Sequence, residues 1–368
     1  MISVPNNRPL LLDNPRVWRT YVGGANLDAL HGRAPQNSQF PEEWIMSVVE
    51  AHNAGREDVV EGLSRLPDYE NVALREVIAE DPPGYLGQKH AARYGTALGV
   101  LVKLIDTVER LTVQVHPDKQ TAKRLFQSDY GKTECWYILG GQTIDGEEPC
   151  VYLGFKPGIT RQVWKQLFDN QDIPGMLSCM HKLPVKPGDT VLITGGMPHA
   201  IGAGCLLVEI QEPTDYTIRI ERITPKGLPV ADSLCHQGLG FERMFDCFHY
   251  EGITREEAVK RCFLPSQVLE ASPNGRRKLL IGGAHTDLFR LEEILVEGTM
   301  PVKNSGVFCG LYILEGTGEL LTGGHTQHIE KAQQYFLPAG VGDFILKKTE
   351  APLRVFRFFG PGADSSIR

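Results

Sequence analysis

Residues Gly188 to Arg219 read GDTVLITGGMPHAIGAGCLLVEIQEPTDYTIR. Asp189 to Ile193 is β-branched and apolar and stops at Gly195-Gly196, whereas Cys205 to Ile210 is a second apolar run. Such runs, separated by glycines and a proline, predict two strands joined by a glycine-rich hairpin that presents His199, the second strand continuing toward Arg219. A histidine on such a turn is ordinarily solvated, so its meaning depends on the rest of the chain.

The same strand grammar extends outward. Leu98 to Ile105 reads as a buried strand, Leu111 to His116 as an alternating one stopped by Pro117, and Thr133 to Leu139 and Val151 to Phe155 as two more. Asp118 has the position of an N-cap for a helix over 119–127. Between Ile159 and His181 the period becomes helical, with Thr160 as a cap, so a helical insertion at about 156–182 is expected between strands. Upstream, residues 1–60 mix short strands and turns, with Trp18 and Glu42 to Val49 as packing elements. Residues 60–100 are more helical until Pro82-Pro83. Residues 221–250 look irregular and linker-like. Thr254-Arg255-Glu256-Glu257 has the form of a capping box, and strands return from Arg277 to Phe359.

The two halves share a pattern. Glu134-Cys-Trp-Tyr-Ile-Leu-Gly-Gly aligns with Cys309-Gly-Leu-Tyr-Ile-Leu-Glu-Gly, and Thr190 to His199 aligns with Gln334 to Asp343. This predicts a mainly β protein of two related barrels, residues 1–250 and 251–368, the second lacking the activity of the first; chance likeness between two β-hairpins is the competing reading. A length of 368 residues suits two domains.

Bulk composition excludes several functions. A net charge of −7 without a basic run argues against nucleic-acid or membrane-surface partners. No apolar run approaches the roughly 18 residues of a membrane span, and the N-terminus lacks a signal-peptide layout. The eight cysteines contain no CxxC pair and sit mostly in apolar contexts, which predicts reduced core thiols and a cytoplasmic location.

Metal-type side chains gather in the first half. Gln114 and His116 are two apart on one strand and share a face, Glu134 opens the next strand, and His199 lies on the later hairpin. Two imidazoles, a carboxylate and an amide oxygen suit a borderline cation such as Zn²⁺. The alternative is a strand-end histidine before proline and a solvated glutamate. The second half has Cys309 and Asp343 at the positions aligned with Glu134 and His199, as a single site in a duplicated fold would. His325 and His328 form HxxH, a spacing that sends them to opposite faces of a strand, and Thr322-Gly323-Gly324 reads as a hairpin turn. Asp118 and Glu209 read as structural, although Glu209 stands near enough to support the metal site.

Gln-Val-His-Pro-Asp-Lys at 114–119, Lys-Thr-Glu at 132–134, Pro-His-Ala-Ile at 198–201 and Glu-Ile-Gln-Glu-Pro-Thr-Asp-Tyr-Thr-Ile-Arg at 209–219 resemble the type I mannose-6-phosphate isomerases, which are zinc-dependent cupins. The likeness runs through residues 10–225, including Glu-Glu-Trp at 42–44, and is weak beyond. Thr133 replaces the usual proline, Thr214 a serine and Ile218 a tyrosine. The resemblance implies two cupin (double-stranded β-helix) barrels, with Gln114, His116, Glu134 and His199 holding one Zn²⁺ per chain. It also implies Lys132 and Arg219 as active-site cations, Asp215 beside them, and Thr112 at the phosphate. The expected reaction is interconversion of mannose 6-phosphate and fructose 6-phosphate by a monomer or homodimer. Isomerisation of another sugar, or sugar binding without turnover, are the alternatives.

Overall fold

The computed structural model describes residues 3–304 and 306–363. Four antiparallel sheets dominate it. In the first half a seven-stranded sheet, running from Phe263–Leu264 at one edge to Arg16–Val17 at the other, is accompanied by a five-stranded sheet that carries Gln114–Val115, His199–Ile201 and Ile218–Arg219. The second half repeats the plan with seven strands and four. The protein is mainly β, as its strand grammar predicts.

Alternation along Glu134–Gly141 shows how the layers are held. Trp136 and Ile138 point inward, into one apolar cluster with Val151, Leu153 and Ile201 of the five-stranded sheet. Cys135 and Tyr137 point the other way, into a cluster shared with Phe356 and Phe358 of the second half. Both faces are therefore buried, which is why these strands read as nearly unbroken apolar runs. Each fully buried Trp or Phe contributes roughly 1.5–3 kcal/mol. The two seven-stranded sheets approach closely enough that a Cβ on Gly310 would stand 2.9 Å from Met46 Sδ, so a larger residue there would push the methionine aside.

The stretches that align in the sequence pair in the same register. Thr190–Ile193 pairs with Glu134–Gly141 so that Ile193 faces Glu134 and Thr190 faces Tyr137. Gln334–Leu337 pairs with Cys309–Glu315 so that Leu337 faces Cys309 and Gln334 faces Tyr312. The alignment at His199 shifts by one, however. His199 opens its strand opposite Gln114, and in the second half Phe344 opens the corresponding strand opposite Val302. The residue matching His199 is thus a buried phenylalanine. Asp343 instead accepts hydrogen bonds from Asn304 N and Lys303 Nζ.

Several expectations change. The runs 190–193 and 205–211 are not a hairpin, because Glu134–Gly141 lies between them and pairs with both. The chain leaves the larger sheet after Ile193, lays His199–Ile201 into the smaller sheet, and returns. Gly196, at φ +86°, makes that crossing possible: a Cβ there would meet the His249 ring at 2.4 Å. Residues 221–250 are not a linker. They form Asp232–His236, Gly240–Arg243 and Met244–Cys247, and Met244, Phe245 and Phe248 pack on Trp164 and Phe168 of the helical insertion. A segment with that many aromatic residues buries them instead of spanning solvent. Pro82 begins the helix Pro82–Leu86 at the position where its missing N–H costs nothing, instead of only ending the preceding one. Asp118 is the expected N-cap, accepting from Thr121 N at 2.6 Å, and Thr254 forms the expected capping box.

Two pairings cross the division expected at residue 250. Leu10–Leu12 joins Gln334–Leu337 of the second half, and Phe263–Leu264 edges the first-half sheet. All eight cysteines are buried thiols. Among the described residues no helix is long and apolar enough to cross a membrane.

Candidate active site

The three short segments that carry the metal-type residues converge because of register. Antiparallel pairing sets His199 opposite Gln114 in the smaller sheet, and Glu134 opens a strand of the larger sheet opposite both Ile193 and Gln211. Pro117 ends the strand after His116, and its carbonyl accepts from Lys132 N at 3.0 Å, which places Lys132 beside that histidine. Ligand atoms of His116, Glu134 and His199 all lie within 4.8 Å of one another, and all three residues are buried.

The internal geometry is that of a cation site. His116 Nδ1 is 2.8 Å from the Tyr216 carbonyl and His199 Nδ1 is 2.9 Å from the Met197 carbonyl. A carbonyl only accepts, so each Nδ1 carries the proton and each Nε2 turns a lone pair inward. Those Nε2 atoms are 3.2 Å apart and stand 3.1 and 3.3 Å from the two Glu134 oxygens. The Gln114 carboxamide reaches within 3.3 Å of His199 Nε2. Both Glu134 oxygens are buried without a hydrogen-bond donor; Lys132 Nζ is 3.2 Å from one of them but outside hydrogen-bonding geometry. Lone pairs and a carboxylate facing one another in a dry space are stable only around positive charge.

Electrostatics set the protonation states the same way. Burial, then the Lys132 charge, lowers His116 to about 3 against the opposing pull of Glu134. Burial likewise lowers His199. Burial works to raise Glu134, but Lys132 and the two histidines outweigh it and hold its carboxyl well below the usual range. Two neutral imidazoles, one carboxylate and one amide are a donor set that suits a divalent cation of the zinc type.

Beside this cluster, Gln114 and Lys132 reach the wall of a small cavity. Thr112, Gln114, Lys132, Asp215 and Arg219 line it, so the structure brings every residue that the resemblance assigned to the site to one place, with His116, Glu134 and His199 directly behind, whereas His325 lies elsewhere. Glu209 also lines it: its carboxylate binds Lys103 Nζ at 2.9 Å and accepts from Trp136 Nε1 at 3.0 Å. The Trp136 ring packs edge-on against His199, so Glu209 steadies that imidazole through one intermediary.

Sequence reasoning missed Arg19, Glu42, Lys103 and Arg110, which also line the cavity. Lys103 left a signal, as the one charge inside the apolar run 98–105. Arg19 left none, since it lies in irregular chain after Arg16–Val17.

Glu42 yields a stability prediction. Burial works to raise it, but Arg19 and Lys103 overcome that and hold it at about 2, below the ordinary 4.5. A carboxyl with a lowered folded-state value contributes stability above its unfolded value and loses it as pH falls through the folded one. The contribution is on the order of 2–3 kcal/mol and is lost between about pH 4.5 and 2. Urea unfolding of the wild type should show this acid-side loss, and Glu42→Gln should be less stable near neutrality with a flatter acid limb. Equal acid limbs in both proteins would remove the assignment.

Three comparisons bear on this geometry. The family model described as phosphomannose isomerase type I, catalytic domain, matches residues 33–134, a span that includes Gln114, His116, Lys132 and Glu134 and stops short of His199. A probable mannose-6-phosphate isomerase of Bacillus subtilis strain 168 is 26% identical over 348 residues, covering 93% of this chain and 96% of the relative. Among solved structures, the mannose 6-phosphate isomerase from Bacillus subtilis aligns with a TM-score of 0.71 at 22% identity, covering 95% of this chain and 99% of its own. A zinc-bound mannose 6-phosphate isomerase aligns at the same TM-score with 15% identity, covering 96% and 99%.

Proposed function

We propose that this chain, a relative of the type I phosphomannose isomerases, is a zinc-dependent mannose-6-phosphate isomerase. The observation that carries the reading is a cluster of inward-facing imidazole lone pairs and an ionised Glu134, opening on a cavity whose other charges are almost all compensated. Gln114, His116, Glu134 and His199 would hold one zinc ion; the mannose 6-phosphate isomerase aligned above at 15% identity is zinc-bound.

Charge compensation says where an anionic substrate goes. Arg19 is paired with Glu42, Lys103 with Glu209, and Arg110 with Glu221 in a two-pronged contact at 2.6 and 2.8 Å. Lys132 faces Glu134. Arg219 is different: it donates to the Thr217 and Leu234 carbonyls, and none of the described carboxylates reaches salt-bridge distance of it. A half-buried guanidinium with neutral hydrogen-bond partners is suited to a phosphate, and a planar fork matches phosphate oxygens. Arg219 therefore anchors the phosphate, with Thr112 as a neighbouring hydroxyl.

Isomerisation moves a proton between C1 and C2 through a cis-enediol. A bound zinc ion supplies Lewis acidity to the substrate oxygens. Lys132 Nζ, beside His116 and Glu134, is placed to exchange protons with the carbonyl and hydroxyl oxygens at those two carbons. Asp215 is held at about 2, because Arg19, Lys103, Lys132 and Arg219 together outweigh its burial. A carboxylate so weakly basic takes part as a fixed charge, not as the base. The test is turnover: purified protein with zinc should convert mannose 6-phosphate to fructose 6-phosphate. Turnover of an unphosphorylated aldose in preference, or of no sugar at all, would overturn the reading.

A further inference from the structure

Arg19 is the one group in the cavity wall whose hydrogen bonding is incomplete in a way that points to a ligand. Arg19 as a whole is only 6% exposed. Nε lies 3.0 Å from Glu42 Oε2, and Nη1 lies 3.5 Å from Asp215 Oδ2 and donates to Asn53 Oδ1 at 3.3 Å. The plane stacks over the Trp44 ring at 5.2 Å. Nη2 is buried and has no hydrogen-bond partner among the described residues. An arginine offers five N–H donors in a rigid fork, so the two on Nη2 are idle while the rest of the group is held by three partners and a ring.

The kind of acceptor follows from charge. Two carboxylates already face this guanidinium, so it lacks an acceptor, not a counter-ion. A phosphate is better served at Arg219, whose partners are neutral. A neutral oxygen satisfies Nη2 without adding a third negative charge next to Glu42 and Asp215. In a sugar phosphate bound with its phosphate at Arg219 and its reacting carbons at Lys132, the remaining neutral oxygens are the hydroxyls between them. A donor immobilised in advance loses little on binding, and a site built around a hydroxyl strongly rejects the analogue that lacks it.

We propose that Arg19 is a substrate-positioning residue whose Nη2 donates to a hydroxyl of the sugar chain between the reacting carbons and the phosphate, making the cavity selective for a polyhydroxylated sugar phosphate. This rests on the isomerase reading and deepens it. Glu42, Asp215 and Asn53 are the supports that aim the fork.

The test uses zinc-loaded protein and two measurements. The first is kcat/KM for mannose 6-phosphate and for its 3-deoxy and 4-deoxy analogues. The wild type should lose about 10–100-fold on one of the two analogues. Arg19→Lys, which keeps the charge toward Glu42 and Asp215, should lose about 10–100-fold on mannose 6-phosphate, with little further loss on that same analogue. The second is calorimetric binding of mannitol 6-phosphate, which needs no turnover and should weaken by a similar factor in Arg19→Lys. Zinc content and thermal unfolding of the variant should match the wild type. Arg19→Lys within about twofold of wild type on both measurements would overturn the proposal, as would losses from variant and analogue that multiply independently at both positions. Wild-type protein that binds mannitol 6-phosphate through Arg19 yet turns over no sugar would instead overturn the isomerase reading alone.

Discussion

Replacing Glu134 with Gln is expected to empty the metal site and abolish turnover together. The carboxylate is the only anion among the four donors, and its two oxygens face the Nε2 atoms of His116 and His199 at 3.1 and 3.3 Å. Gln keeps the shape but removes the charge, so the cluster becomes neutral while Lys132 still adds a positive charge beside it. A divalent cation then has no electrostatic reason to leave water. Losing the electrophile should lower kcat/KM by at least about 10³-fold. His199→Ala should behave alike, because it removes the donor that the Met197 carbonyl orients. Elemental analysis of each purified variant, alongside the isomerase assay, decides the matter. Wild-type zinc stoichiometry in both variants would show that these residues are not ligands.

Lys132→Ala should separate the two properties. Its Nζ stands 2.9 Å from His116 Nε2 and 3.2 Å from a Glu134 oxygen, so it competes with a cation for the same donors. Without it, zinc should bind at full stoichiometry or more tightly. Turnover should nevertheless fall by about 10²–10⁴-fold, the usual worth of a positioned proton-transfer group. The loss should fall on kcat more than on KM, since the proposed phosphate anchor at Arg219 is untouched. Loss of metal in this variant, or kcat within a few-fold of wild type, would remove Lys132 from the chemistry.

What could be read from the chain and what could not divide along physical lines. Strand placement was legible because both faces of the central strands are buried and their apolar runs are long. The internal repeat was legible for the same reason, down to the matched pairs Glu134 with Ile193 and Cys309 with Leu337. Caps at Asp118 and Thr254 were legible because capping is local. The hairpin at His199 was misread, because two consecutive apolar runs look alike whether they pair with each other or with a third strand between them. Residues 221–250 were misread because short irregular helices lack a period even when their aromatic residues are core.

Gln114, His116, Glu134 and His199 could be named as metal-site candidates from the sequence, since metal donors are few and strand alternation says which of them share a face. Tertiary structure decided which nitrogen of each imidazole turns inward, through carbonyls of Tyr216 and Met197 that no spacing rule foresees. It also decided what each cation in the cavity is free to do. Arg19, Lys103, Arg110 and Arg219 are all simply cations when read as sequence. They differ because segments distant in the chain bring carboxylates to three of them and only carbonyls to Arg219, and because Arg19 keeps one idle nitrogen in the cavity wall. The opening stretch carries both lessons. Its glycines and His199 announced a turn with a possible ligand, and only the folded register showed that turn to be a crossing between two sheets, which sets the ligand against Gln114.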